Sequence, residues 1–185
     1  MIAPDGTIYF SQPFAGENPR FLGRYRPPYD HGPETLWLDL GGDALGLALD
    51  PTRRVLYAEC RTRKQVLAVS LGEPPSMRPL VEAEEGINGM TLGPGGTVYY
   101  SDQSEGHLHR VTPEGGKTRL TVSPLTEPNG LAFAPDGRLY VVSWARPEVF
   151  RLAVKDGVER SREVFATCPR PAPTGSPSIR GDAST

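Results

Sequence analysis

Cysteine is scarce in this chain. Two in 185 residues, Cys60 and Cys168, are too few for a disulfide-stapled scaffold. They read as two buried free thiols, or as one isolated pair, and leave the compartment open. An excess of one charge is also missing. Twenty Lys and Arg stand against 22 Asp and Glu, a formal net charge of −2, so no basic face argues for nucleic acid as a partner. No apolar run approaches the length that crosses a membrane as a helix. No helical period of useful length is present. There is no nucleophile elbow, phosphate-binding loop or dinucleotide fingerprint either.

Turn residues are plentiful, with 21 Gly and 20 Pro, and they punctuate a repeat. Pro128 to Val142 reads Asn129-Gly130, an apolar run Leu131-Ala132-Phe133, the turn Ala134-Pro135-Asp136-Gly137, then Leu139-Tyr140-Val141-Val142. Two short β-type runs around Pro-Asp-Gly predict a hairpin: Pro pre-sets φ, Asp can bond its own backbone and Gly accepts positive φ. Asn88 to Tyr100 repeats this text, Leu45 to Tyr57 is a further copy, and Met1 to Phe10 is the tail of another. The shared prolines 4, 51, 94 and 135 are separated by steps of 47, 43 and 41 residues. A period in the forties with four short strands per unit predicts propeller blades. Further strands are expected over 107–111, 118–122, 148–152 and 162–165, and Leu47, Leu49, Leu92, Leu131 and Phe133 are expected to be buried. The fold class is therefore all-β, with about four blades of an incomplete β-propeller ring over residues 1–166 and an irregular tail over 167–185.

In a propeller the first strand of each blade lines the central channel, so Asn88 and Asn129 converge near the axis on one face. Their amide oxygens suit a hard cation; equally, each Asn could bond the adjacent turn or take a left-handed conformation before its Gly. Ser101-Asp102 and Ser143-Trp144 share that face. Asp102 reads as a channel-face acid or a strand-end cap, and Trp144 as a wall for substrate or a packing residue between blades. His107 and His109 lie on one strand face with no third ligand near in sequence, which fits an exposed edge better than zinc.

These copies resemble the family of gluconolactonase, senescence marker protein (regucalcin) and luciferin-regenerating enzyme. The resemblance spans Met1 to about Phe165 and implies a six-bladed propeller with lactonase activity and one divalent ion, Ca²⁺ or Zn²⁺, at the axis. Asn129-Gly130-Leu131-Ala132 matches the family's fourth-blade motif and Asn88 its third-blade Asn, although Gly89 stands where the family usually has Asp. The family's first-blade Glu would precede Met1, and its fifth-blade Asp falls at Thr174. An Arg that holds sugar lactones in animal members corresponds to Gly86 here, which puts an aldonolactone substrate in doubt. The implied chemistry is metal-assisted hydrolysis of a small-molecule lactone or ester. The expectation for this chain alone is poor affinity for Ca²⁺ or Zn²⁺, because neutral amides do not offset the dehydration of a divalent ion.

A fifth copy is due near residue 174, where the text is instead Ser-, Gly- and Thr-rich. Read one base out of frame, its codons permit DGLAFDPGGRVY, which follows NGLAFAPDGRLY position for position. The expectation is a frameshifted fifth blade; a flexible tail is the alternative. Arg180-Gly181-Asp182 is then an accident of frame. Two functions compete: a lactonase-type hydrolase of which this chain is a piece, and a non-catalytic propeller that binds a ligand or a protein. A strictosidine-synthase-like propeller is a third reading.

Overall fold

The structure is a computed structural model that describes residues 1–11 and 20–168. Its strands form four antiparallel sheets in chain order. The first contains β1 (Ile8–Ser11), β2 (Phe21–Tyr25) and β3 (Glu34–Asp39). The second contains β4 (Leu47–Asp50), β5 (Val55–Cys60), β6 (Gln65–Ser70) and β7 (Ser76–Glu82). The third contains β8 (Ile87–Leu92), β9 (Val98–Asp102), β10 (His107–Val111) and β11 (Lys117–Arg119). The fourth contains β12 (Pro128–Phe133), β13 (Leu139–Ser143), β14 (Glu148–Lys155) and β15 (Val158–Thr167). Each sheet is a meander in which sequential strands are neighbours, the architecture of propeller blades. The first sheet also has the stub of an inner strand: Met1 and Tyr9 exchange both backbone hydrogen bonds, and Ile2 bridges Ile8.

The hairpin turns work as their chemistry requires. Gly6 and Gly137 take φ of +85° and +81°. The preceding Asp5 and Asp136 accept hydrogen bonds from the amides of Thr7 and Arg138 at 2.9 and 3.0 Å. In the third sheet a 3₁₀ turn over Pro94–Gly96 does the same job.

The core occupies the seams between successive sheets. Leu56, Ala58 and Cys60 of β5 pack toward Tyr9 and Leu22, whereas Tyr57 packs toward Ile87, Met90 and Tyr100. Tyr99 joins Leu108, Leu139 and Val141 in the next seam. A fully buried Leu such as Leu56, Leu108 or Leu139 contributes roughly 2 kcal/mol through apolar area removed from water. Of the five inner-strand residues expected inside, Leu49 is buried while Leu47, Leu92, Leu131 and Phe133 are half-buried against these clusters. The inner strand is a sheet edge, so its side chains keep one open flank.

Other expectations are corrected. Cys60 is buried but Cys168 is exposed, and both are free. β11 is shorter than expected and β15 longer. His109 does not lie on an exposed edge: β10 sits between β9 and β11, and His109 is buried against Tyr100. The copy beginning at Leu45 also slips by one residue. Leu49 pairs with Leu56 across a turn one residue longer than the one that pairs Leu92 with Val98. The structural counterpart of Ser101 on β9 is therefore Glu59 on β5. The frameshifted copy expected near Thr174 lies outside the described residues.

Candidate functional site

Asn88-Gly89 and Asn129-Gly130 both fall at register shifts of their inner strands, between Ile87 and Met90 and between Pro128 and Leu131. A bulge re-aims side chains and is common beside functional sites. The glycines have a steric role. A Cβ on Gly46 would lie 2.6 Å from the Asn88 carbonyl oxygen, and a Cβ on Gly89 would fall well inside van der Waals contact of the Asn129 carbonyl. The inner strands thus meet backbone to backbone, and this brings Asn88 and Asn129 onto adjacent segments. Ser101 joins them: its Oγ accepts from the Gly89 amide at 2.9 Å and donates to the Asn129 carbonyl at 2.7 Å. Ser11 donates in the same way to the Leu45 carbonyl at 3.0 Å.

Neither Asn has a left-handed backbone. Asn88 Nδ2 donates to Gln103 Oε1 at 2.7 Å. The Asn129 amide has no side-chain partner among the described residues. Asp102 is fully buried and acts as a strand-end cap, with Oδ1 accepting from the amides of Ser104 and Glu105 at 3.1 and 3.2 Å and Oδ2 unpartnered. It also lines a cleft of about 460 Å³ with Lys64, Glu84, Gly86 and Ser104. Gly86 backs directly onto Asp102 Oδ1 and Ser104. A long side chain at position 86 would need that turn to move. The Trp144 amide donates to the Glu127 carbonyl at 2.9 Å, beside the start of β12, and the indole is 73% exposed. Asn88 and Asn129 are therefore brought together, whereas Asp102 sits behind the seam and Trp144 on the open surface.

A residue missed at sequence level is Glu59. It lies on the Tyr57 side of β5, facing the third sheet, and is fully buried with neither carboxylate oxygen hydrogen-bonded. Burial raises its pKa to about 8, offset in part by the Gly46 and Leu45 amides and by Arg61. An acid at this place was visible in the text, but the one-residue slip hid its register. Outward of it, Glu84 accepts from Tyr100 Oη at 2.5 Å and Lys117 Nζ at 2.8 Å and faces His109 Nδ1 at 3.8 Å. Burial pushes the Glu84 carboxyl up, but these partners outweigh it and its pKa ends below the usual value. Burial lowers that of His109.

The described residues do not by themselves fit a divalent ion at the inner strands. Asn88 and Asn129 are neutral amides, and no described group of three His, Cys, Asp or Glu is arranged to hold a metal.

With this geometry in hand, the class of protein is defined: the chain is part of a β-propeller. No protein-family profile and no curated protein matches it. Among solved structures it is similar to a gluconolactonase from Xanthomonas campestris, at 22% identity and TM-score 0.72, covering 89% of this chain and 60% of that one. It is also similar to virginiamycin B lyase from Staphylococcus aureus, at 15% identity and TM-score 0.69, covering 89% and 54%. A chain in a nidogen–laminin complex matches at 20% identity and TM-score 0.72, covering 88% and 62%. At these identities the likeness is one of fold. The chain spans between 54% and 62% of the length of these three structures.

Proposed function

We propose that the protein carrying this chain is a lactonase-type hydrolase acting on a small-molecule lactone or ester at the inner-strand face. The observation that carries this reading is the pair Asn88-Gly89 and Asn129-Gly130 at matched bulges of adjacent inner strands, on a fold also used by gluconolactonases. In this reading the Asn129 amide donates to the substrate carbonyl and orients it. Asn88, held by Gln103, sets the opposite edge. Trp144 offers an apolar surface beside β12, and Asp102 backs the site from behind the seam. A Ca²⁺ or Zn²⁺ ion is a further proposal and would need carboxylates beyond the two amides.

The test is hydrolysis of a panel of aliphatic, aromatic and sugar lactones, with and without a chelator, by the protein and by its Asn129→Ala and Asn88→Ala variants. Hydrolysis that falls by about tenfold or more in either variant, with circular dichroism unchanged, supports the reading. A folded protein that hydrolyses no member of the panel sinks it in favour of a non-catalytic binding propeller.

A further inference from the structure

The end of the second sheet away from Asn88 carries a second cleft, between that sheet and the third. Its volume is about 230 Å³, and its lining includes Arg53, Tyr57, Ser70, Ser76, Arg78 and Pro113. Every polar side chain in the lining can donate a hydrogen bond, and no carboxylate is among them. Ser70 and Ser76 are cross-strand partners on β6 and β7, and Arg78 follows Ser76 on the same face by strand alternation.

Three observations suit these donors to an anion. Among the described residues the Arg78 guanidinium has only the carbonyl of its neighbour Pro79, at 3.5 Å. Arg53 is held in place by Asp50, Nη1 to Oδ2 at 2.7 Å, on a carboxylate that is itself buried. The Tyr57 ring is buried, and its hydroxyl, with no hydrogen-bond partner among the described residues, opens on the cleft. Burial raises the pKa of that phenol, as do Asp50 and Glu114, against the lowering effect of Arg53 and Arg78; it remains a protonated donor. The corresponding cleft between the first and second sheets differs. It has one guanidinium, Arg54, and a carboxylate, Asp5, in its own lining.

We propose that the Arg53–Tyr57–Arg78 cleft binds a small organic oxyanion, a carboxylate or phosphate monoester carrying a short apolar body. The anionic head meets Arg78, the Tyr57 hydroxyl and the two serines, and the body lies against Val55, Ala68 and Pro113. The volume admits a ligand smaller than a typical drug-sized molecule. This site is independent of the lactonase reading, because it lies at the other end of the blades and uses none of the same residues.

The test is calorimetric titration of the protein with phenyl phosphate, benzoate and inorganic phosphate. The variants are Arg78→Gln and Tyr57→Phe, with Arg138→Gln as a matched loss of charge in the turn of the fourth sheet. The expected result is saturable one-to-one binding of phenyl phosphate or benzoate, tighter than that of inorganic phosphate. Arg78→Gln should weaken it about tenfold and Tyr57→Phe several-fold, with circular dichroism unchanged and Arg138→Gln without effect. Absence of saturable heat with all three probes overturns the proposal. So does equal weakening by Arg78→Gln and Arg138→Gln, which would mark attraction to net charge alone.

Discussion

Two seams of this molecule share one plan where their inner strands meet and hold different residues at one place in it. Between the third and fourth sheets Ser101 sits in the contact, taking the Gly89 amide and giving its proton to the Asn129 carbonyl. Between the second and third sheets the same place is held by Glu59, buried and unbonded. The hydroxyl is small, neutral and both donor and acceptor, so it satisfies a crowded backbone contact at little cost. A carboxyl there must stay protonated or leave a charge in the core. The contrast teaches that the same place can hold a neutral hydroxyl or a carboxyl, and that burial favours the carboxyl in its protonated form.

The largest expected effect follows from that difference. The folded pKa of Glu59 is about 8, against an ordinary value of 4.5. Below the lower value both folded and unfolded chains carry the proton, and Glu59 makes no pH-dependent contribution. Between the two values the unfolded chain ionises while the folded one keeps its proton, so stability falls by about 1.4 kcal/mol per pH unit. Above the higher value the loss levels off, at up to ~5 kcal/mol in total. Asp50 and Glu84, whose pKa values are lowered despite the opposing effect of burial, act in the opposite sense, so the informative quantity is a difference. Denaturant melts of the wild type and Glu59→Gln should diverge as pH rises from 5 to 8, with the variant more stable at the alkaline end. Parallel profiles would mean Glu59 holds no extra proton, and the contrast between the seams would collapse.

Next in size is Gly89→Ala. The added Cβ meets the Asn129 carbonyl, and relief requires two inner strands to part. A destabilisation of about 3 kcal/mol is expected, read as a shift in denaturant midpoint. A change below about 0.5 kcal/mol would show that the inner strands are not in backbone contact.

Ser101→Ala comes third. It removes both bonds of the bridge and leaves the Gly89 amide and Asn129 carbonyl without that partner. The expected loss is about 1–2 kcal/mol. Ser101→Thr keeps the hydroxyl and should recover part of it. If Thr and Ala are equally damaging, shape and not the hydrogen bond governs the seam.

How much of this was legible in the text depends on the element. The Pro-Asp-Gly turns announced themselves because their chemistry is local: Asp136 bonds two residues on and Gly137 supplies positive φ. The repeat then placed the inner hairpins, that of the second sheet one residue out of register, and with them Asn88 and Asn129 on one face. What escaped was set by partners distant in sequence. One extra residue in the Asp50–Val55 turn shifts β5 against its copies, and a shift of one reverses which seam each side chain enters. The seam position of Glu59 was hidden for that reason. His109 read as exposed because what covers its ring, Tyr100 stacked on it and Glu84 beside it, comes from other parts of the chain. The fate of the Asp102 carboxylate, divided between a cap and an open cleft, depends on Gly86, sixteen residues earlier.

The smallest effect sharpens the comparison most. Gly130 is the repeat partner of Gly46 and Gly89, but a Cβ there would meet only Val142 Cγ2, at 3.4 Å. No inner strand lies against it among the described residues, and Val142, Val164 and Phe165 of the same sheet are largely exposed. Its φ is not in the left-handed range. Gly130→Ala should therefore change the stability of this chain by no more than about 0.5 kcal/mol, or raise it slightly by reducing the freedom of the unfolded chain. The same substitution becomes a reporter wherever another inner strand covers β12. In such an assembly it should cost about as much as Gly89→Ala, since the same carbonyl contact would form. Measuring both substitutions in this chain and in any longer protein that contains it therefore reads out whether the flank of the fourth sheet is covered. A large loss from Gly130→Ala in this chain alone would mean that the flank is already occupied, by a second copy or by residues outside those described.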